Sequence, residues 1–298
     1  MRLIRSELMK IRTTNVWWLF AIGVFVFTAI SLLIWIMVAD GQIDQAIQTR
    51  GQAFEPPPPD SGIPQSAIDE MRREWEIQND LGRLLRTSAA NIYTSGQFFG
   101  LMFVMLLGTI LVTNEFFHQT ATSTFLTTPQ RTKVIMAKLA TACLAAAVFW
   151  IFTTGINIAT GAIYFSNKGY ASQLGEWPVT RAILMNGLAF GLWGILGVGL
   201  GVLIRNQIGA VLVGAIAYVI GSQAVQLVFL LIHEFWIKKD WVLQAMVAFP
   251  TVASQVMISP EKIFAQSPVW WVGALVLVGY GVVFGVVGTL ITRKRDIS

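Results

Sequence analysis

The sequence predicts an all-α integral membrane protein with six transmembrane helices. Hydrophobic residues make up 55% of the chain, charged residues only 12%, and the mean hydropathy is +0.63. Water-soluble domains carry roughly 25% charged residues, so this chain is too apolar to be one. Six runs approach or exceed the ~20 apolar residues that a span requires. Their near-absence of charge predicts helices and not the alternating strands of a membrane barrel.

The six predicted spans are separated by short polar segments, except for one long loop after the first. Tryptophans lie near several span ends, where amphipathic rings favour the membrane interface. Trp150 and Trp193 fall inside spans, and we expect them to be packing residues. The predicted spans are residues 16–38, 93–113, 139–163, 182–204, 208–232 and 269–292.

The distribution of basic residues predicts the orientation. Short basic flanks of spans stay in the cytoplasm. The N terminus, the segments between spans 2 and 3 and between spans 4 and 5, and the C terminus together hold 11 Lys and Arg against three acids. We therefore expect a multi-pass protein of the cell (plasma or inner) membrane with both termini in the cytoplasm.

Residues 1–15 predict a helix that lies in the membrane surface. Ile4, Leu8 and Ile11 share one helical face, whereas the basic residues lie elsewhere. An ordinary basic flank is the alternative, because the pattern is short. A cleaved signal peptide is disfavoured, since the apolar run of about 23 residues exceeds the roughly 7–15 of a signal sequence.

Two segments outside the spans carry their own patterns. Residues 39–92 form an extracytoplasmic loop with a polyproline stretch, then an amphipathic helix that Ser66 caps; a solvated spacer is the alternative. Residues 233–268 are apolar but too short to cross, and Pro250 interrupts them, which predicts a re-entrant or interfacial hairpin on the same side. The apolar positions of the predicted loop helix are Ile68, Met71, Trp75 and Ile77.

The sequence lacks the motifs of several enzyme classes. It contains no phosphate-binding loop, zinc-protease motif or nucleophile elbow. Its single cysteine, Cys143, permits no intramolecular disulfide, and its two histidines are far apart, so we expect no metal site. The four central spans contain no Asp, Glu, Lys or Arg, which disfavours proton-driven transport more than sodium-driven transport.

Neutral polar residues inside the spans are candidates for a substrate path. Such residues more often hold helices together by hydrogen bonds, which is the alternative. Three pairs of glycines at i and i+4, at 187/191, 197/201 and 281/285, predict close approaches between helices. The path candidates are Thr153, Asn157, Asn186, Gln223 and Gln226.

The polar stretch between spans 2 and 3 is rich in threonine and carries Glu115, His118, Arg131, Lys133 and Lys138. It resembles the corresponding stretch of type-2 ABC exporter permeases. Those permeases often carry a glutamate, a Gly-Thr pair, a run of small and aliphatic residues, a proline followed by arginine, and a lysine that opens the next span. Gln119 stands here in place of the glycine. The surface helix at the start, the six spans and the hairpin before the last span follow the family order too. The matching residues are Glu115, Thr120, Phe125, Leu126, Pro129, Arg131 and Lys138.

The resemblance implies a coupling segment at residues 114–133. A cytoplasmic helix at 114–127 is expected to dock on a separate ATPase, with Glu115 near its start, where the helix dipole favours a carboxylate, and Pro129 stopping it. Arg131 and Lys133 are expected to pair with acidic groups of the partner or with lipid phosphates. The expected coupling residues are Glu115, His118, Thr120, Thr122, Phe125, Pro129 and Arg131.

The resemblance also implies the function and the partners. Two copies of the ATPase, which bind ATP and Mg²⁺, are expected to drive two permeases, this chain with itself or with a paralogue. We expect the chain to bind membrane lipid but no cofactor or nucleic acid, to have no ATPase activity of its own, and to move a drug, lipid or peptide outward. The alternatives are an ion (sodium) exporter of the same architecture and a membrane sensor or assembly factor that acts through residues 39–92.

Overall fold

The computed structural model describes residues 2–120, 130–204, 206–264 and 266–294, and it is a bundle of helices without strands in these ranges. Six helical segments are long and apolar enough to cross a membrane, which confirms the predicted number of spans. The helices are α1 (Arg2–Thr13), α2 (Val16–Gln48), α3 (Gln65–Asn79), α4 (Leu81–Tyr93), α5 (Gln97–Phe117), α6 (Arg131–Asn167), α7 (Trp177–Leu203), α8 (Gln207–Phe235), α9 (Asp240–Ala245), α10 (Pro250–Ile258) and α11 (Trp270–Lys294).

The spanning segments are α2, the α4–α5 pair, α6, α7, α8 and α11. The starts of α2, α6 and α8 and the ends of α5, α7 and α11 lie at one end of the bundle, which we call the N-terminal end. α1, the start of α2, the end of α5 and the start of α8 line shared cavities there. The C-terminal ends of α2, α3 and α6 lie at the opposite end, together with α9.

α5 and α7 form the centre of the bundle and approach each other closely through glycine. A Cβ atom on Gly197 would lie 2.0 Å from the carbonyl oxygen of Met105, and one on Gly201 would lie 2.6 Å from that of Thr109. The Thr109 hydroxyl also donates a hydrogen bond of 3.1 Å to the Gly197 carbonyl. The close approach predicted for the 197/201 pair is confirmed, whereas a Cβ on Gly191 would meet nothing within 4 Å.

The outer helices expose apolar side chains over most of their length. In the most apolar part of α8 only 11% of residues are buried, against 67% in the α4–α5 segment. Exposed side chains such as Ile216, Ile220 and Leu227 cover the outward face of α8. An apolar exterior of this kind suits a lipid environment, in agreement with a multi-pass membrane protein.

Several helix ends differ from the predicted boundaries. α2 continues to Gln48, well beyond residue 38, because its extension packs against the end of α6. There Lys168 Nζ lies 2.5 Å from an Asp40 oxygen and 3.3 Å from an Asp44 oxygen. The hydrogen bonds with Asp40, and then with Asp44, raise the pKa of Lys168 to about 12. α6 likewise begins at Arg131, earlier than predicted.

The predicted loop helix is two helices in the structure. α3 has no buried residue, and its N-cap position is Pro64, so the expectation that Ser66 caps this helix is wrong. Asp80 ends α3 and caps α4, since its side chain accepts a hydrogen bond of 3.1 Å from the Arg83 amide. α4 is buried along one face and continues after Gly96 into α5, so the second span begins earlier than residue 93.

The segment before the last helix bends sharply. Residues Asp240–Ala248 and Pro250–Ile258 form two short helical stretches at 100° to each other, with the break at Phe249. Most of α10 is buried, and Gly273 of α11 lies so close that its Cβ would be 2.4 Å from the Ala253 carbonyl oxygen. The bend falls at the predicted proline; the position of the hairpin relative to a membrane stays a prediction.

Candidate functional site

Four charged side chains from three helices form one ion-pair cluster at the N-terminal end. They are Glu7 and Lys10 of α1, Glu115 of α5 and Lys138 of α6. Lys138 Nζ lies 2.8 Å from a Glu7 oxygen and 2.9 Å from a Glu115 oxygen. Lys10 Nζ lies 2.7 Å and 2.6 Å from the same two carboxylates. The four formal charges cancel, and the pairs join α1, α5 and α6.

Three members of the cluster are almost fully buried. Glu7 and Glu115 are each 4% exposed and Lys138 only 1%. The ammonium group of Lys138 also donates a hydrogen bond of 3.0 Å to the Leu111 carbonyl, so each of its three N–H groups has an acceptor. Burial lowers the pKa of Lys10, but hydrogen bonds and charge from Glu115 and Glu7 outweigh it and raise that pKa. Lys10 is therefore protonated at neutral pH.

Glu7 was not among the residues predicted for this site, although the sequence contained a signal for it. Glu7 is the only acid in the basic N-terminal segment, and Lys10 follows at i+3 on the same face of α1. The structure buries this face, whereas Leu8 is 39% exposed. Glu7 is a lone acid, and Lys138 is a lysine between apolar residues. A charged side chain of either kind needs a partner of opposite charge when it is buried. The sequence alone does not show that Glu7 and Lys138 pair with each other.

Glu115 lies in the last turn of α5, so the expectation that it starts a coupling helix is wrong. A carboxylate near a helix C terminus is disfavoured by the helix dipole. Here Lys10 and Lys138 offset that unfavourable interaction by direct ion pairs. Because Glu115 is buried and paired, its side chain faces the bundle interior.

The backbone turns immediately after α5 in a glycine-like conformation. The Gln119 amide donates to the Phe116 carbonyl at 3.2 Å and the Thr120 amide to the Glu115 carbonyl at 2.9 Å, the two bonds of a Schellman motif. Gln119 has φ of +54°, in the left-handed region that glycine favours. The same two bonds end α6, where Gly169 occupies the corresponding position with φ of +78°.

Gln119→Gly should therefore stabilise the protein by about 0.5–1 kcal/mol. The left-handed conformation costs a residue with a side chain roughly 1–2 kcal/mol, and glycine avoids this cost. Part of the gain is lost because glycine also raises the conformational entropy of the unfolded chain. Gly169→Gln should destabilise it by a similar amount. The midpoint of thermal unfolding in detergent measures both. A lower midpoint for Gln119→Gly would contradict the turn described here.

The other predicted coupling residues surround this turn or lie outside the described residues. His118 is exposed and packs edge-on against the Phe117 ring with centroids 5.0 Å apart. Arg131 begins α6 and donates a hydrogen bond of 3.4 Å to the Thr292 carbonyl of α11. The predictions for Thr122, Phe125 and Pro129 fall outside the described residues.

Two adjoining cavities open beside the cluster. One, of about 420 Å³, is lined by Lys10, Asn114, Glu115, His118 and Thr120 among others. The second, of about 520 Å³, lies between the starts of α2 and α8 and the end of α5, and its lining is mostly apolar. Asn114 and His118 line both cavities, so a partly polar space continues into an apolar one.

The predicted path residues occupy different environments in the structure. Asn157 is buried and donates hydrogen bonds to the carbonyls of Ser95 (3.0 Å) and Tyr93 (3.4 Å), where α4 passes into α5. Thr153 bonds to its own helix, which favours a structural role for both α6 residues. Gln223, in contrast, is exposed on α8. Asn186 is buried with an amide oxygen that has no partner among the described residues, and Gln226 is half-buried.

Comparison with protein families identifies one match. The family described as Protein of unknown function (DUF2705) matches residues 76–298, about three quarters of the chain, so the chain belongs to this family. The matched region includes Glu115 and Lys138 of the cluster but not the α1 residues that pair with them. No curated protein matches the sequence.

Proposed function

Taking membership of the DUF2705 family as given, we propose that the chain is the permease subunit of an ATP-driven ABC exporter. It lies in the cell membrane with both termini in the cytoplasm and moves an amphipathic substrate outward. The observation that carries the proposal is the buried cluster that joins α1, α5 and α6 beside the polar stretch with the exporter-like residue order.

The cluster gives this proposal a mechanism of force transfer. The ATPase would dock on residues 118–133, which follow α5 and lead into α6. Because buried ion pairs connect Glu115 and Lys138 with Glu7, a displacement of this segment would move α1, α5 and α6 together. Glu115 is then a positioning residue inside the lever, and the partner contacts are made by the exposed His118 and the residues after it.

The paired cavities support an amphipathic substrate. The cavity beside the cluster offers Lys10, His118 and the Asn114 amide to a polar group, and its neighbour offers an apolar space between α2, α5 and α8. Both lie at the N-terminal end, which is the cytoplasmic end in the proposed orientation. A molecule with a polar head and an apolar body matches this sequence of environments.

Co-purification with an ATPase tests the proposal. The chain is co-expressed with a candidate phosphate-loop ATPase, purified through a tag on the chain, and assayed for ATP hydrolysis in lipid nanodiscs. His118→Ala and Phe125→Ala should each lower the co-purified ATPase by about tenfold, as expected for a residue at the centre of an interface. Trp236→Ala, at the opposite end and 83% exposed, should leave it unchanged.

The proposal fails if no ATPase co-purifies with the folded chain, or if Trp236→Ala weakens co-purification as much as the two docking variants. ATP hydrolysis should be measured together with ATPase co-purification. A variant that binds the ATPase but no longer stimulates its hydrolysis would still indicate that the substituted residue belongs to the coupling segment.

A membrane sensor or assembly factor is the second candidate, and α3 favours it. This helix has no buried residue and presents Met71 (43% exposed) and Ile77 (46% exposed) to solvent. Both side chains are therefore available for contact with an outer partner. Met71→Ser with Ile77→Ser should abolish capture of an outer partner if the chain is a sensor, and should leave ATPase co-purification unchanged if it is an exporter.

A further inference from the structure

A separate cavity of about 360 Å³ lies in the apolar part of the bundle, between α5, α7, α8, α10 and α11. Five aromatic side chains contribute to its wall, together with aliphatic ones, and no charged residue lines it. None of the predicted path residues lines it either. The aromatic residues are Trp193, Tyr218, Phe249, Tyr280 and Phe284.

Tyr218 places an unused hydrogen-bond donor in this wall. Its side chain is only 4% exposed, and its hydroxyl has no hydrogen-bond partner among the described residues. The ring is held by edge-on contact with Trp193, at 4.8 Å between centroids, and by Phe98 at 5.1 Å. A hydroxyl that faces an apolar cavity without a hydrogen-bond partner is unfavourable. The cavity therefore favours an occupant that accepts a hydrogen bond from this group.

Trp193 shows the contrasting case of a satisfied donor. Its indole N–H donates to the Ser254 hydroxyl at 2.8 Å, and that hydroxyl donates to the Pro250 carbonyl at 2.7 Å. This chain of bonds fixes the indole against the start of α10. Trp193 thus supplies a rigid aromatic surface, and Tyr218 supplies the polar recognition.

We propose that this cavity binds a neutral, mainly aromatic molecule that carries one hydrogen-bond acceptor, which receives the Tyr218 O–H bond. A charged ligand is excluded because no group of opposite charge lines the wall and an unpaired buried ion is very costly. Aromatic rings match the wall because they pack favourably edge-on and offset against Trp, Tyr and Phe. The volume is that of a site for a small organic molecule.

The ligand also contacts the bend between the two short helices. Phe249 and Pro250, at the 100° break, belong to the cavity wall, as does the hydroxyl-bearing Thr251. Occupancy would therefore link the hairpin to α8 and α11. This inference does not rest on the proposed exporter function, since the site lies within one chain and involves no ATPase.

Glycine substitutions provide a matched pair of variants. Gly221 lines the cavity, and a Cβ atom there would meet nothing within 4 Å, so a leucine can be placed in this wall without a clash at its Cβ. Gly155 of α6 is equally unhindered and does not line the cavity. Because both positions are helical, Gly221→Leu and Gly155→Leu change helix propensity in the same way.

The test uses the purified full-length chain in lipid nanodiscs without any ATPase, with benzophenone as the probe. Benzophenone is neutral, has two aromatic rings and one carbonyl acceptor, and attaches covalently to nearby C–H groups on irradiation. Labelled peptides are identified by mass spectrometry over a range of probe concentrations. Diphenylmethane, which has the same two rings without the carbonyl, serves as the competitor.

Saturable labelling of peptides around Trp193, Tyr218 and Phe249 is expected. Tyr218→Phe should raise the half-saturating concentration about fivefold, Gly221→Leu should abolish the saturable part, and Gly155→Leu should change neither. Diphenylmethane should compete equally well in the parent and in Tyr218→Phe, because it makes no bond to the hydroxyl.

Labelling that does not saturate and spreads over the exposed faces of α8 and α11 would overturn the proposal, as would saturable labelling that survives Gly221→Leu. An unchanged half-saturating concentration in Tyr218→Phe would overturn the assigned hydrogen bond. Loss of ATPase co-purification, by contrast, would leave the site intact.

Discussion

Lys138→Met should lower the free energy of unfolding by about 3–5 kcal/mol, the usual cost of removing one partner from a buried ion pair. The substitution keeps the length and apolar stem of the side chain but leaves the buried Glu7 and Glu115 with Lys10 as their shared cation. The Leu111 carbonyl also loses its lysine donor. The thermal unfolding midpoint in detergent should fall by several degrees, measured as loss of the monodisperse size-exclusion peak on heating.

A second substitution separates charge imbalance from lost packing. Glu7→Gln combined with Lys138→Met leaves Glu115 paired with Lys10, so most of the lost stability should return. Lys133→Met provides the control on the same helix. Lys133 is exposed, and surface charges contribute little to the free energy of unfolding. If Lys138→Met is no less stable than Lys133→Met, the buried cluster does not form.

Gly197→Ala should destabilise the protein by at least about 3 kcal/mol, at the upper end of the cost of overpacking. A Cβ at this position would lie 2.0 Å from the Met105 carbonyl oxygen, a backbone atom that cannot rotate away. α5 and α7 must then separate, and the Thr109 hydroxyl loses its 3.1 Å bond to the Gly197 carbonyl. Yield of folded protein and the unfolding midpoint are the measurements.

Gly191→Ala is the matched control for this second prediction. It lies in the same helix, and its Cβ would meet nothing within 4 Å. Alanine has the higher helix propensity, so Gly191→Ala should be neutral or stabilise by up to ~1 kcal/mol. Equal effects of the two substitutions would mean that α5 and α7 do not pack as closely as described.

The number of spans could be predicted from the sequence because hydropathy is a local property of about 20 residues. The ends of the spans could not, since they depend on distant partners. α2 extends past residue 38 because Asp40 and Asp44 contact Lys168, which lies 124 residues after Asp44. The α4–α5 segment passes through Gly96 with φ of +76°, and no periodicity in the sequence distinguishes this turn from a loop.

The candidate site was predictable in its location but not in its geometry. Residue order identified Glu115 and Lys138, yet the Glu115 carboxylate is buried near the C-terminal end of a helix and not near the start of one. The path prediction relied on polarity within spans, which does not reveal whether a side chain faces a cavity, a neighbouring helix or the exterior. The aromatic cavity was not predicted because its wall is apolar. In the sequence, Trp193 and its neighbours are indistinguishable from ordinary packing residues.

The ion-pair cluster also has a consequence for biogenesis. Glu7 and Lys138 are 131 residues apart, and ribosomes add about 5–20 residues per second, so α1 waits roughly 7–26 s for its buried partner to be synthesised. During this interval Glu7 lacks one of its two cations, as does Glu115 once it has been synthesised. Once α6 has been made, Lys138 can pair with the two carboxylates, and α1 is then held against α5 and α6.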